Sequence, residues 1–203
     1  MVRNPCDRLI GEIDHARWIL AHGFTPGHRQ GRPLAWQRRS IRLLRVNHAG
    51  EVAAQALYRA QALAARADPP LARQLVRAGE EERRHLLWCE NRLAALGGRP
   101  SRLNPAWYGL AFLSGLLAGT LGRGISLGYI AETEAQVESH LTDHLRQLPA
   151  EDGDSRRILD RMREEEAAHG AWALKAGGRT LPQPVRRLMH WTSRALVYGS
   201  YLF

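Results

Sequence analysis

Apolar residues recur at helical spacing along the chain, and glycines and prolines interrupt them at regular intervals. Leu9, Ile13, Ala16 and Leu20 follow the three-to-four-residue step of a helix and predict a short amphipathic helix over residues 1–22. That segment carries Asp7, Glu12 and Asp14 where a secretory signal needs an apolar core, so no signal peptide is expected. Residues 23–35, rich in Gly, Pro and polar side chains, read as a linker. A first long helix is predicted over about 37–67, stopped by Asp68-Pro69-Pro70, and a second over about 71–96, stopped by Gly97-Gly98. Asn104-Pro105 opens a third, with proline in the first turn, and the apolar stretch continues to Gly122 and Gly124. Further helices follow over about 125–148 and 153–176, and Pro182 and Pro184 introduce a last one. No strand alternation and no hairpin turn is found. The expected fold is all-α, with residues 1–36 as an N-terminal helix and linker and residues 37–203 as one helical domain.

Residues 103–122 hold no charged side chain and meet the length criterion for a membrane span. Gly115 and Gly119 form a GxxxG. The many glycines dilute the segment's hydrophobicity, so a core helix or an interfacial helix competes with a span. Residues 185–203 combine Arg186, Arg187 and Arg194 with Leu188, Trp191, Val197, Tyr198, Leu202 and Phe203. Such a helix suits an anionic membrane surface, or it closes a bundle.

Composition changes this picture little. The chain has 203 residues, 44% of them hydrophobic, which excludes a disordered chain. Two cysteines, Cys6 and Cys89, exclude a disulfide scaffold. The net charge is +9 and the pI about 10.6, which first suggests nucleic acid or an anionic membrane. Lys175 is the only lysine, so the basic load is almost wholly arginine. Those arginines are spread along the helices with no nucleic-acid motif, so no nucleic-acid partner is expected.

The chemistry lies in two Glu-x-x-His tetrads, Glu82–His85 and Glu166–His169. Residues at i and i+3 share a helix face, so each pair can aim at one point. Glu51 precedes Glu82 by 31 residues, and Glu134 precedes Glu166 by 32. The order is therefore Glu, then Glu-x-x-His, twice, with each member on its own helix. A ferritin-like four-helix bundle gathers this set around its axis as a di-metal carboxylate site. Four carboxylates balance two divalent cations, which makes burial tolerable, and imidazole adds a nitrogen ligand to each. Glu81 and Glu165 stand four residues before their histidines and can also face them. The shared i+3 geometry favours Glu82 and Glu166, leaving Glu80, Glu81, Glu164 and Glu165 for solvent. Glu132 and Glu138 rival Glu134, and the repeat spacing favours Glu134. Asn47, His48, Tyr58, His140 and His144 are candidates to support the ligands from the same helices.

Several segments carry a resemblance. Arg45-Val46-Asn47-His48-Ala49-Gly50-Glu51, the two tetrads, Pro105-x-Trp107 and Thr133-Glu134-Ala135-Gln136-Val137-Glu138-Ser139-His140-Leu141 resemble the demethoxyubiquinone hydroxylase family. The resemblance covers roughly residues 41–203 and only loosely the first 40. It implies a di-iron centre on Glu51, Glu82, His85, Glu134, Glu166 and His169, the six that spacing selects. It also implies O₂-dependent hydroxylation of a free ring carbon of a polyprenylated methoxy-methyl-benzoquinol, in ubiquinone biosynthesis. The reductant is the quinol or NAD(P)H; no GxGxxG follows a strand, so nicotinamide use needs an unconventional site or a partner. A polyprenyl substrate implies docking at the cytoplasmic face of the cell membrane, peripheral or monotopic, by segments 103–122 and 185–203. A lipid-presenting partner and self-association are implied as well. The rival reading is another membrane-associated ferritin-like oxidase, a quinol oxidase or a ferroxidase.

Overall fold

The computed structural model describes residues 33–203 together with 13, 14, 16, 17 and 19. Six long helices make up the first of these ranges: α1 (Ala35–Ala64), α2 (Pro69–Ala95), α3 (Asn104–Thr120), α4 (Arg123–Gln147), α5 (Gly153–Lys175) and α6 (Gln183–Leu202). A 3₁₀ turn, Ala65–Ala67, ends the first. The described residues contain no strand, in accord with an all-α ferritin-like bundle.

The stops act as the sequence suggests. The Asp68 side chain accepts the Leu71 N–H at 3.1 Å and caps α2, whose first turn is Pro69-Pro70. Gly97 takes a φ of 73°, and Gly98 N–H returns to the Leu93 carbonyl, closing the end of α2. Asp152 caps α5 through the Ser155 N–H and also holds Arg92 of α2 at 2.5 Å. That pair ties the two tetrad helices together at one end.

Four helices, α1, α2, α4 and α5, make the bundle. Its interior is layered. Leu43, Leu44, Cys89, Leu93, Leu141, Leu159 and Met162 fill one end. Tyr58, Leu71, Leu75, Ala78, Leu127, Ile130 and Ala173 fill the other. Read along each helix, Glu51, Glu82, His85, Glu134, Glu166 and His169 fall between these apolar layers.

α3 packs along α1, and this explains the GxxxG. A Cβ on Gly115 would lie 2.9 Å from the Leu57 carbonyl oxygen, and one on Gly119 would lie 2.5 Å from the Ala64 Cβ. The small residues therefore bring two helices of this chain into backbone contact. At 17 residues α3 reaches about 25 Å, short of a bilayer core. No described helix is long and apolar enough to cross a membrane. α6 lies against α1 and α4, with His140 of α4 bonded to Ser193 and Arg186 to Glu132.

Most of the expected N-terminal helix and linker, Leu9 and Leu20 included, lies outside the described residues. Ile13, Asp14, Ala16, Arg17 and Ile19 are helical. Ile19 is buried, and with Ala16 it packs on Val52, Ala56, Leu86 and Tyr108, while Ile13 is half exposed.

Candidate metal centre

Each bundle helix delivers its side chains from a turn that faces the axis. Glu51 comes from α1, Glu82 and His85 from α2, Glu134 from α4, and Glu166 and His169 from α5. Glu51, Glu82, Glu134 and Glu166 are each at most 2% exposed, and His85 is fully buried. Their ligand atoms form two overlapping groups: Glu51, Glu82, His85 and Glu166; and Glu82, Glu134, Glu166 and His169. Glu82 and Glu166 belong to both. Such an arrangement could hold two metal ions, each with one carboxylate and one imidazole of its own and with Glu82 and Glu166 common to both.

Each tetrad serves both positions. His85 Nδ1 lies 3.3 Å from Glu82 and 3.0 Å from Glu166 of the opposite helix. His169 Nδ1 lies 2.8 Å from Glu82 and 3.5 Å from Glu166. The outward nitrogens face a second pair of carboxylates. His85 Nε2 meets Glu165 at 2.8 Å, and His169 Nε2 meets Glu81 at 2.9 Å. These bonds cross between α2 and α5 in both directions. Arg84 and Arg161 hold Glu165, and Arg77 holds Glu81.

The donor set fits a pair of hard divalent cations. Glu51 Oε2, both Glu82 oxygens, Glu166 Oε2 and His169 Nδ1 are buried without a hydrogen-bond partner. Several of these atoms approach one another closely, yet their angles are not those of hydrogen bonds. Buried polar atoms are normally satisfied, so atoms converging on a common point without partners mark a place for a third party. The arginines of the neighbourhood reach Glu81 and Glu165, not the six inner residues. Positive charge for the inner carboxylates must come from the two imidazoles or from metal.

Protonation in the absence of metal follows the same logic. Burial, and then the Glu166 carboxylate, raise Glu51 well above the usual carboxylate range; burial with Glu166 and Glu82 does the same to Glu134. Burial opposes charge on Glu82 too, but the close approach of the His169 and His85 imidazoles outweighs it and holds Glu82 at about 2. Burial alone would lower the histidines. The facing Glu166 and Glu82 carboxylates overcome it and push His85 up to about 12 and His169 to about 11. The shifts at Glu51, Glu134, His85 and His169 all favour the protonated form, and a metal bound at the same atoms must displace those protons. Metal loading therefore releases protons, and affinity falls as pH falls. Calorimetric titration of metal-free protein in buffers of differing ionisation enthalpy measures the release; a value near zero contradicts this charge arrangement.

Of the five supporting candidates, Tyr58 reaches the cluster: its hydroxyl donates to Glu134 at 2.6 Å. The others bond elsewhere. Asn47 pairs with His144 at 2.7 Å, His48 with Glu90 and Asn104, and His140 with Ser193. Burial lowers His144 to about 4, so it is neutral in this buried network. Glu80 and Glu164 point to solvent as expected, but Glu81 and Glu165 do not. Of the four spare acids expected to face solvent, only Glu80 and Glu164 therefore do so, while Glu81 and Glu165 meet the histidines. The i−4 spacing to each histidine was the available signal; it places these acids against the histidine of the other tetrad.

A four-helix bundle with a buried, repeated Glu and Glu-x-x-His cluster is the arrangement of the ferritin-like class, which can hold a pair of metal ions on such residues. Within that class, the chain matches the family Ubiquinone biosynthesis protein COQ7 over residues 38–200, and it belongs to that family. Among curated relatives, a 3-demethoxyubiquinol 3-hydroxylase of Cupriavidus pinatubonensis is 54% identical over 201 residues, covering 98% of this chain and 87% of the relative. One of Polynucleobacter necessarius is 47% identical over 207 residues, covering 98% and 99%. One of Azoarcus sp. (strain BH72) is 51% identical over 165 residues, covering 81% and 80%.

Proposed function

We propose that this chain is the 3-demethoxyubiquinol 3-hydroxylase of ubiquinone biosynthesis: an O₂-dependent monooxygenase that hydroxylates the ring of a polyprenylated methoxy-methyl-benzoquinol. The observation that carries the reading is the buried convergence of four glutamates and two histidines, with unpartnered oxygens, in a member of this family. Glu51, Glu82, His85, Glu134, Glu166 and His169 would hold two iron ions. Bound there, the pair supplies the two electrons that activation of O₂ requires, with the quinol or NAD(P)H restoring them.

The chain's own residues do the rest. Glu82 and Glu166 fix the spacing of the two positions. Tyr58 orients Glu134, and Glu81 and Glu165 fix the imidazole rings. The apolar layers on either side of the cluster keep water from the reacting centre.

Docking at the cytoplasmic face of the cell membrane belongs to the same reading. Leu110, Leu113, Leu117 and Leu121 stand more than half exposed on one side of α3 and just beyond its end. Leu188, Trp191, Tyr198 and Leu202 do so on α6. These stripes support interfacial, monotopic attachment, with arginines contacting anionic lipid. A lipid-presenting partner or a second copy of the chain would compete for the same apolar surface.

A quinol oxidase or a ferroxidase would use the same donor set. Turnover of demethoxyubiquinol under ¹⁸O₂ separates them. Hydroxylation places one labelled oxygen in the ring hydroxyl. Oxidised, unlabelled quinone as the sole product would assign the chain to the oxidases.

A further inference from the structure

A second concave site lies at one end of the bundle, away from the metal cluster. It is an open cleft of about 460 Å³ between the start of α1, the turn after α2 and the end of α6. Its lining includes Arg38, Arg42, Arg45 and Arg99 and, among the described residues, contains no acidic one. Among the described residues none of these four arginines pairs with a carboxylate. Their contacts go to neutral groups: Arg38 to the Pro33 carbonyl, Arg45 to the Arg99 carbonyl, and Arg42 onto the ring of Tyr201 at 5.4 Å.

Elsewhere this protein pairs its arginines readily, as at Arg92, Arg123, Arg161 and Arg186. Four unpaired guanidiniums around one cavity repel each other. Burial and the neighbouring Arg42 charge already pull Arg45 below its usual pKa. The carbonyl end of α2 would oppose an anion here, but three of its last four carbonyls are occupied, with Arg92 taking the Leu96 N–H and Ala94 the Gly97 N–H. The Leu93 carbonyl takes the Gly98 N–H, and the Arg99 carbonyl takes Arg45. The floor is closely packed, since a Cβ at Gly98 would lie 2.8 Å from Ile41.

We propose that this cleft binds a phosphate group, and that the group is the headgroup phosphate of an anionic lipid. Guanidinium forks match phosphate oxygens in pairs, and a cleft of this volume admits a headgroup. The lipid source follows from the rim. Tyr201 and Leu202 line the cleft at the end of the same helix that carries the exposed Leu188, Trp191 and Tyr198. An apolar stripe that runs into a basic cleft offers acyl chains and headgroup adjoining surfaces. The lipid source rests on the docking proposed above; the phosphate site does not.

The test uses the full-length, metal-loaded protein at physiological ionic strength. Sedimentation with phosphatidylcholine vesicles, with and without phosphatidylglycerol, is compared for the wild type, Arg42→Ala/Arg99→Ala and the charge-matched Arg66→Ala/Arg73→Ala. Calorimetry with inorganic pyrophosphate runs in parallel on each. Loss of the cleft pair is expected to lower partitioning onto anionic vesicles by about fivefold per arginine, and to abolish pyrophosphate binding, with the control pair near wild type. Equal losses for both pairs, with no pyrophosphate binding to the wild type, overturn the site. Cleft-dependent pyrophosphate binding with equal vesicle losses keeps the phosphate site and overturns the lipid source. Trp191→Glu separates the docking proposal: it abolishes vesicle binding while pyrophosphate still binds. A wild type that binds pyrophosphate but no vesicles refutes the docking and with it the lipid source, and keeps the phosphate site.

Discussion

Glu82→Ala is expected to remove metal from both positions and to lower hydroxylation by more than the roughly 10–100-fold that loss of an outer supporting residue costs. The reason is topological. Glu82 belongs to both groups of ligand atoms, and its oxygens lie within 3.3 Å of both histidines. Glu51 belongs to one group only. Glu51→Ala is therefore expected to retain close to one metal per chain, and Glu82→Ala close to none. Glu166→Ala should behave as Glu82→Ala does. Metal analysis after gel filtration, with circular dichroism to confirm the helical fold, separates these outcomes. Equal retention by Glu51→Ala and Glu82→Ala would refute the bridging role.

The second large effect is expected at Glu165 and Glu81. Each accepts a bond from the Nε2 of a histidine whose Nδ1 faces the cluster. Removing such an outer carboxylate frees the ring to rotate and lowers the basicity of the inner nitrogen. A cost of about 10–100-fold in metal affinity follows for Glu165→Ala. Glu165→Gln keeps an acceptor oxygen and should recover part of the loss. Chelator competition reads the affinity, and the absorption of a cobalt-substituted site reads the geometry. Glu80→Ala and Glu164→Ala, which alter exposed carboxylates, are expected to bind metal as the wild type does. If they fail while Glu165→Ala binds normally, the register of both tetrads is wrong.

Much of the fold was legible because its punctuation is local. Asp68, Asp152, Gly97 and the prolines act within a turn of their own helices, so their effect is written in the neighbouring residues. The six inner side chains were also legible, since two repeats of one spacing on four helices leave few ways to converge. What the sequence did not show depends on pairing between helices. Spacing from Glu165 to His169 points within α5, whereas the actual partner is His85 of α2. Nor does the GxxxG of α3 announce whether it will meet another chain or, as here, Leu57 and Ala64 of α1. The buried Asn47–His144 bond joins residues 97 apart and leaves no periodic trace.

The strongly basic balance takes a more local meaning in the structure. Five glutamates, Glu51, Glu82, Glu90, Glu134 and Glu166, are buried and add little to the outer surface. The arginines are not uniformly dispersed in effect: most that approach an acid are paired, and four gather around one cleft without one.

The central claim is that the six inner residues hold two irons and that this pair carries the hydroxylation. The most direct test measures iron and demethoxyubiquinol hydroxylation on one preparation, before and after stringent chelation and after reloading with Fe²⁺. The account predicts close to two irons per chain, activity that falls with iron content, and recovery on reloading. Full hydroxylation by protein shown to be free of iron would contradict it.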